Sequence, residues 1–454
     1  MNDFTTGNPA KLILKFSIPL LIGNLFQQLY NMADAIIVGR YVSGNALAAV
    51  GSSGALLNFL VAVLIGLTTG SSVVISQLFG AKKFDELRNA VSTSIIFLGG
   101  LTLIMTAVGV FGAEFFMNIL DVPMDIRDDA KTYIQIFMGG IIFPIYYNMY
   151  MAYLRALGDS RTPLYFLMFS VLLKVVLDML FVAVFGMGVP GAAVATVISQ
   201  ALAFVATYYY AQRKSPILRI HKLTFDKRIF GLIVKFGLPA AVQMSVTNIG
   251  HLSIMRLVNS FGSVVVAGYT AATKIENIAM MPLSNLSAAI STFVGQNMGA
   301  GNEDRAKKGL FSGMMITLII GAILTAFIFI AGNTLIAQFV NVEDIHAANI
   351  ISVGTEYMFI MAMFYLLFGV FFSYNGFFRG AGDPVIVMVL TIASLAIRVI
   401  CAYILNGLFD MGVSAVAWSI PIGWFTCTVA AIIYYRAGKW KGKSVVNAME
   451  KKEA

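Results

Sequence analysis

The chain has 454 residues, of which 59% are hydrophobic and only 12% are charged, and its mean hydropathy is +0.83. That charged fraction is about half the value of an ordinary soluble domain, which excludes a soluble globular protein, a disordered chain and a coiled coil. The net charge of +9 does not indicate nucleic-acid binding, because the basic residues do not form a stripe. The composition predicts an all-α polytopic membrane protein embedded in a lipid bilayer.

Apolar runs of about 20 residues, the length that crosses a bilayer as a helix, recur along the whole chain. The first run is too long for the apolar core of a cleavable signal peptide, so it is interpreted as the first helix. In chain order the runs predict about twelve transmembrane helices, near 12–38, 53–79, 91–113, 131–153, 163–185, 189–211, 231–257, 264–297, 309–331, 353–377, 385–407 and 413–435.

The basic residues between these runs predict the orientation. If both termini lie on one side, 24 of the 31 Lys and Arg residues fall on that side and four fall on the other. The remaining three, Lys174, Lys274 and Arg398, lie inside predicted helices. The positive-inside rule therefore predicts a multi-pass plasma-membrane protein with both termini in the cytoplasm.

Two halves of the chain repeat each other. KFSIPLL from Lys15 matches KFGLPAA from Lys235 at an offset of 220 residues, and RALGD from Arg155 matches RGAGD from Arg379 at an offset of 224. With six helices in each half, both halves enter the membrane from the same side and are parallel repeats. Such repeats form two lobes around a central cleft, which favours transport by alternating access.

The long basic stretch between the halves sets the predicted domain boundaries. The prediction is an N-terminal six-helix lobe at 1–211, a cytoplasmic linker at 212–230, a C-terminal six-helix lobe at 231–435 and a basic cytoplasmic tail at 436–454.

The residues that an enzyme or a metal site would need are missing. Both cysteines fall in predicted helices, the three histidines are scattered, and there is no G-x-x-x-x-G-K-[ST] phosphate loop. We therefore expect no catalytic residues, no metal site and no cofactor. An intramembrane enzyme is an alternative class, but it would require a nucleophile, base or metal set that this sequence lacks.

Two acidic residues within predicted helices are the strongest functional candidates. An ionisable side chain at the centre of a span costs roughly 2.5 to 3.5 kcal/mol, so such residues usually serve a function. Asp34 in the first span and Asp178 in the fifth span lie at similar depth, and we expect them to converge inside the first lobe as a proton carrier. The alternative is that each caps a broken helix or pairs with a neighbouring cation.

At this level of detail the chain resembles the multidrug and toxic compound extrusion (MATE) family, and within it the prokaryotic DNA-damage-inducible branch. The resemblance covers nearly the whole chain and depends on short motifs: FSIPLL with Pro19, NMADAIIVGR with Asp34, RALGDSRTP, the Leu177–Asp178 pair, GAAVATVISQ and RGAGDP. It implies a V-shaped pair of six-helix bundles that exports amphipathic, often cationic organic compounds in exchange for H+ or Na+.

The resemblance assigns roles residue by residue. It implies that Asp34, Asp178 and the Thr196 hydroxyl form the cation-coupling site. This chain departs from the family pattern at Lys174, where relatives commonly carry Asn, and at Met179, where they often carry Pro. Because Lys174 and Asp178 are four residues apart on one helix face, an ion pair can form there, and the ammonium favours H+ over Na+ as the coupling ion.

A second set of polar residues is predicted to contact the substrate. Lys174 and Arg398 occupy equivalent repeat positions, and with Gln243 and Asn248 they are candidates for the lining of the central cleft. Two cations there would admit anionic compounds, so a flippase or exporter of an anionic or lipid-linked metabolite is the alternative function. The other alternative is that each cation only neutralises a neighbouring acid or the carbonyl groups at a helix C-terminus. We expect a monomer.

The second lobe has fewer candidate acids. The repeat positions that correspond to Asp34 and Asp178 are Ile254 and Ala402, so ion coupling is assigned to the first lobe. Lys274 and Glu276 are two residues apart and cannot share a helix face. A location at the outer membrane interface is the alternative for both.

Overall fold

The computed structural model describes residues 3–119, 121–220, 222–340 and 345–453. These residues form helices and connecting turns, and no strand occurs among them. The first half contains α1 (Pro9–Tyr41), α2 (Gly44–Gly80), α3 (Phe84–Phe111), α4 (Ala113–Ile119), α5 (Met124–Gly139), α6 (Ile142–Ala156), α7 (Arg161–Asp178) and α8 (Gly188–Lys214). The second half contains α9 (Lys227–Asn259), α10 (Ser263–Gly299), α11 (Glu303–Ala337), α12 (Ala347–Met363), α13 (Tyr365–Ala381), α14 (Pro384–Phe409), α15 (Val413–Arg436) and α16 (Val445–Glu453).

Most of the predicted spans are single long helices. Within the described part of the chain, ten helices are long and apolar enough to cross a membrane, and α12 with α13 makes an eleventh if the bent pair counts as one span. This confirms the prediction of an all-α polytopic membrane protein. The predicted span 131–153 is divided between α5 and α6, which have only 16 and 15 residues.

The two divided spans break at equivalent positions of the repeat. One break separates Gly139 from Ile142, and the other separates Met363 from Tyr365, with a bend of 54°. At the first break a Cβ on Gly140 would lie 2.3 Å from a methyl carbon of Val197 in α8. This position therefore requires glycine, because any side chain would collide with α8.

The chain forms two compact units. The first unit contains Ile18–Ala241, and the second contains Phe4–Ser17 together with the residues from Val242 onward. The first residues of α1 therefore belong to the second unit. The boundary between the two units lies between Ser17 and Ile18, next to Pro19 in the same helix. In α9 the boundary falls just after Pro239. A helix-interior proline removes one backbone hydrogen bond, so each of these helices is weakened where it passes between units.

Each unit has its own apolar core. In the first unit the core gathers residues such as Val38, Leu64 and Ile134, and in the second it gathers Ile254, Leu283 and Met361. Large apolar side chains also lie on the outer faces of the helices, among them Leu103 and Ile323. An apolar exterior around a packed interior is what a lipid solvent permits.

Glycines bring α10 and α13 into close contact inside the second unit. Gly376 and Gly380 are four residues apart on α13, the small-xxx-small spacing that lets membrane helices approach closely. A Cβ on Gly376 would lie 2.3 Å from the carbonyl oxygen of Ser287, and one on Gly380 would lie 2.4 Å from that of Ser291. There is no room for a side chain on this face of α13.

We therefore expect Gly380→Ala to destabilise the protein by about 1 to 3 kcal/mol, because the added methyl group must push two helices apart. The matched control is Gly407→Ala in α14, where a Cβ would meet nothing within 4 Å. Removal of backbone freedom should leave that variant unchanged or slightly stabilised. Thermal unfolding of the detergent-purified variants measures both. Equal melting temperatures for the two variants would contradict the close contact.

Both ends of the described chain pack on the second unit. Phe4 is fully buried, and its ring centroid lies 5.3 Å from that of Phe16 and 5.8 Å from that of Phe293. Its backbone nitrogen donates to Gln296 Oε1 at 3.0 Å. Near the other end, buried Trp440 stacks on Tyr435.

Candidate functional site

The first unit contains an ion cluster built from three charged side chains. Lys174 in α7 donates hydrogen bonds to Asp34 in α1 and to Asp178 at the end of α7. The spacing of four residues places Lys174 and Asp178 on one helix face, as the sequence indicated, whereas Asp34 comes from a helix 140 residues away. We call these three residues the Asp34–Lys174–Asp178 cluster.

The cluster is buried and its charges do not balance. The side chains of Lys174 and Asp178 are each 1% exposed, and that of Asp34 is 16% exposed. One ammonium faces two carboxylates, so the fully ionised cluster carries one excess negative charge. Asp178 Oδ1 is buried and has no hydrogen-bond partner among the described residues. Because a buried unpaired charge is costly, this cluster favours the uptake of one positive charge.

The backbone changes its winding at Asp178. Residues Met179–Val184 form a π-helix that continues α7, with the Phe185 nitrogen bonded to the Leu180 carbonyl at 2.9 Å. Such insertions are rare and concentrate at functional sites. Here the π-helix begins directly after the Asp178 carboxylate, with Met179 as its first residue.

Tyrosines and a threonine complete the surroundings of the cluster. Lys174 Nζ lies 5.4 Å from the ring centroid of Tyr30, within the range of a cation–π contact. Tyr30 and buried Tyr133 both interact with Asp34 and with the hydroxyl of Thr196. The Thr196 hydroxyl itself donates to the carbonyl of Ala192 at 2.9 Å. Lys174 thus joins Asp34 to Asp178, and Thr196 lies beside the two tyrosines of the same unit.

Tyr30 and Tyr133 are site residues that the sequence did not single out. Tyr30 lies four residues before Asp34, so helical periodicity places it on the same face of α1, and that spacing was a usable signal. Tyr133 comes from α5, and no local spacing connects it to α1. Its contact depends on how the helices pack.

The residues predicted to contact the substrate have different surroundings in the structure. Lys174 is enclosed by its two carboxylates, which corresponds to the alternative of a cation that neutralises nearby acids. Gln243 Nε2 donates to the Thr391 hydroxyl at 2.8 Å, and its Oε1 lies 3.5 Å from Arg379. Asn248 is exposed. Gln243 therefore joins helices of the second unit, while the exposed Asn248 can meet a ligand or lipid.

Arg398 has an acidic neighbour that its own helix does not supply. Glu276 in α10 interacts electrostatically with Arg398 and accepts a hydrogen bond from Tyr357 at 3.0 Å. Glu276 is buried and Lys274 is exposed, which confirms that the two side chains do not share a helix face. Glu276 thus lies among the helices of the second unit.

The ion cluster is the only one of these arrangements with two carboxylates, and its donor set does not suit a metal ion. No group of three or more His, Cys, Asp or Glu side chains within the described ranges could hold a metal. At the cluster the third charged group is an ammonium, which repels a cation and supplies no ligand oxygen.

Comparison with known proteins gives concordant results. The family model described as MatE matches residues 19–180 and 239–404. Over 442 residues the chain is 32% identical to the probable multidrug resistance protein YpnP of Bacillus subtilis (strain 168), covering 97% of both chains. It is 24% identical over 440 residues to the multidrug export protein MepA of Staphylococcus saprophyticus, covering 95% of this chain and 94% of that protein.

Solved structures share the fold. A MATE transporter in complex with MaL6 superposes with a TM-score of 0.89 at 24% identity, covering 97% of this chain and 98% of that chain. A MOP superfamily transporter from Pyrococcus furiosus Vc1 (DSM3638), described as having a binding pocket of reverse polarity, gives 0.88 at 24% identity, covering 96% and 97%.

Proposed function

This chain belongs to the multidrug and toxic compound extrusion family, and from that membership we propose that it is a secondary active exporter of amphipathic organic compounds, driven by proton exchange. Members of the family are transporters, so the chain is a multi-pass membrane transporter and not an enzyme. Relatives named for multidrug resistance and multidrug export support a broad range of small organic substrates. Assignment to the DNA-damage-inducible branch stays a prediction.

The charge imbalance of the Asp34–Lys174–Asp178 cluster is the observation that supports proton coupling. With both acids ionised the cluster has one negative charge in excess, and one proton removes it. Asp178 Oδ1, which has no hydrogen-bond partner within the described ranges, is an atom to which that proton can bind. A sodium ion would need several oxygen ligands and would meet the Lys174 ammonium. The geometry therefore favours H+ over Na+.

We further propose how the proton drives export. Two parallel repeats support alternating access, in which the two lobes expose the substrate site first to one side and then to the other. Under an inward proton gradient, the cluster binds a proton from the outside and releases it to the inside. Each binding or release changes the charge of the cluster, and this change favours one arrangement of the lobes over the other. With both termini in the cytoplasm, as the positive-inside rule predicts, the substrate leaves the cell.

A second candidate function depends on Arg398. Its Nε atom is buried and lacks a hydrogen-bond partner in the described part of the chain, so the guanidinium could receive an anionic group. This would suit a flippase or exporter of an anionic or lipid-linked metabolite. Lys174 is already held by two carboxylates, so only one of the two cations that this alternative needs is available, and we favour the multidrug exporter.

Transport by the purified protein in proteoliposomes tests the proposal. We expect an imposed proton gradient to drive uptake or release of ethidium, an amphipathic cation, because the cluster exchanges protons. A sodium gradient at equal pH on both sides should have no effect, and a protonophore should abolish transport. Sodium-driven ethidium movement that resists a protonophore would contradict proton coupling. Movement of an anionic dye but not of ethidium would favour the second candidate.

A further inference from the structure

The second unit contains a buried carboxylate that the proposed coupling site does not use. Glu276 lies in α10, in the interior of the unit, with 8% of its surface exposed. Tyr357 of α12 donates a hydrogen bond to its Oε2 atom at 3.0 Å. The surrounding core is apolar and includes Ile254, Ala279 and Ile360. A carboxylate this deeply buried is costly to keep ionised unless its charge is compensated.

Arg398 supplies only part of that compensation. It interacts with Glu276 electrostatically, but no ion pair within 4.0 Å joins the two side chains in the described residues. The contrast with Lys174, which is hydrogen-bonded to both of its carboxylates, is informative because the two cations occupy equivalent repeat positions. The first unit contains a closed ion cluster, whereas the second contains a carboxylate and a cation held apart.

Within the described ranges, the other groups that interact with Glu276 are uncharged phenols. Tyr269 of α10 and Tyr365 of α13 interact with it, and both are buried phenols. His251 of α9 interacts electrostatically with Arg398. In the described residues, Glu276 therefore accepts one hydrogen bond, from Tyr357, and interacts with the phenols of Tyr269 and Tyr365 and with the more distant Arg398. A proton on the carboxyl group is the remaining way to remove its charge.

We propose that Glu276 is a second proton-binding site, which takes up and releases a proton on its carboxylate during the transport cycle. The inference depends on the proposed proton-coupled function and extends it, because the sequence interpretation placed ion coupling in the first lobe alone. No covalent bond other than the O–H bond of the carboxyl group forms or breaks. The Tyr357 hydroxyl donates to the ionised carboxylate and so stabilises the form that has released its proton.

Infrared difference spectroscopy of the purified protein tests this directly. A protonated carboxyl group absorbs at a frequency distinct from a carboxylate, so a pH titration should reveal a carboxylic acid band that Glu276→Gln removes. Tyr357→Phe keeps the carboxyl group but removes its donor, so the band should persist to higher pH. The matched control is Glu356→Gln in α12, an exposed acid that accepts a hydrogen bond from Ser414. The control should leave the band unchanged.

The ratio of protons to ethidium exchanged in proteoliposomes provides the functional measurement. Glu276→Gln should lower that ratio, since the first cluster still exchanges protons and the second site no longer does. An unchanged ratio together with an unchanged carboxylic acid band would overturn the proposal while proton-coupled export stands. If the wild-type protein shows no proton-driven export at all, the proposed function fails, and the spectroscopic titration still determines whether Glu276 binds a proton.

Discussion

Proton-driven export should be lost when either acid of the first unit's cluster is replaced by its amide. In Asp34→Asn or Asp178→Asn, Lys174 keeps one carboxylate partner, so the remaining charges balance and the protein should still fold and insert. No excess negative charge is left to attract a proton, however, and the cluster can no longer alternate between two charge states. Ethidium export under a proton gradient should fall to the background of empty vesicles.

The control for this experiment is an acid outside the membrane-spanning helices. Glu114 in α4 is paired with Lys131 and Arg127, each at 2.7 Å, and hydrogen bonds from Lys131 and then Arg127 hold its pKa below the usual range. It therefore stays ionised at neutral pH, and Glu114→Gln should export at the wild-type rate. Wild-type export by Asp34→Asn, at equal amounts of inserted protein, would refute the role of the cluster.

Replacement of Lys174 should change the ion to which the transporter responds. In Lys174→Asn the ammonium is removed and an amide oxygen is added between two carboxylates, which creates the set of oxygen ligands that a sodium ion requires. We expect this variant to export ethidium under a sodium gradient and to show a weaker response to a proton gradient. A variant that ignores sodium would show that Lys174 does not determine ion selectivity.

The variant Lys174→Met distinguishes the role of Lys174 in ion selectivity from its role in the stability of the fold. Methionine removes the charge and supplies no oxygen, so sodium should not restore export. Breaking a buried ion pair by removal of one partner costs about 3 to 5 kcal/mol, and Lys174 holds two partners, so this variant should melt well below wild type. Sodium should raise the melting temperature of Lys174→Asn, since a bound ion stabilises the folded state, but not that of Lys174→Met.

The sequence was sufficient to predict the transmembrane helices and part of the candidate site. Hydropathy located the spans because lipid requires long apolar helices, and the spacing of four residues predicted the pairing of Lys174 with Asp178. The contact from Asp34 joins residues 140 positions apart. The similar predicted depth of Asp34 and Asp178 suggested that these two acids converge, but no sequence spacing could specify the contact of Asp34 with Lys174.

The buried acid of the second unit is not predicted by the repeat. The repeat pointed to Ala402 and Ile254 as counterparts of the acids, and neither is ionisable. The acid that faces Arg398 comes instead from Glu276 in α10, a helix that the repeat did not single out. Which face of α10 points inward is decided by packing against α12 and α13, and both ionisable residues of that stretch looked equally eligible in the sequence.

The paired helix breaks fall at equivalent points of the repeat, although the residues at those points differ. Gly140 stands at one break and Phe364 at the other, and these two residues share no intrinsic tendency to interrupt a helix. The interruption therefore follows the repeated path of the backbone and not the presence of one residue type.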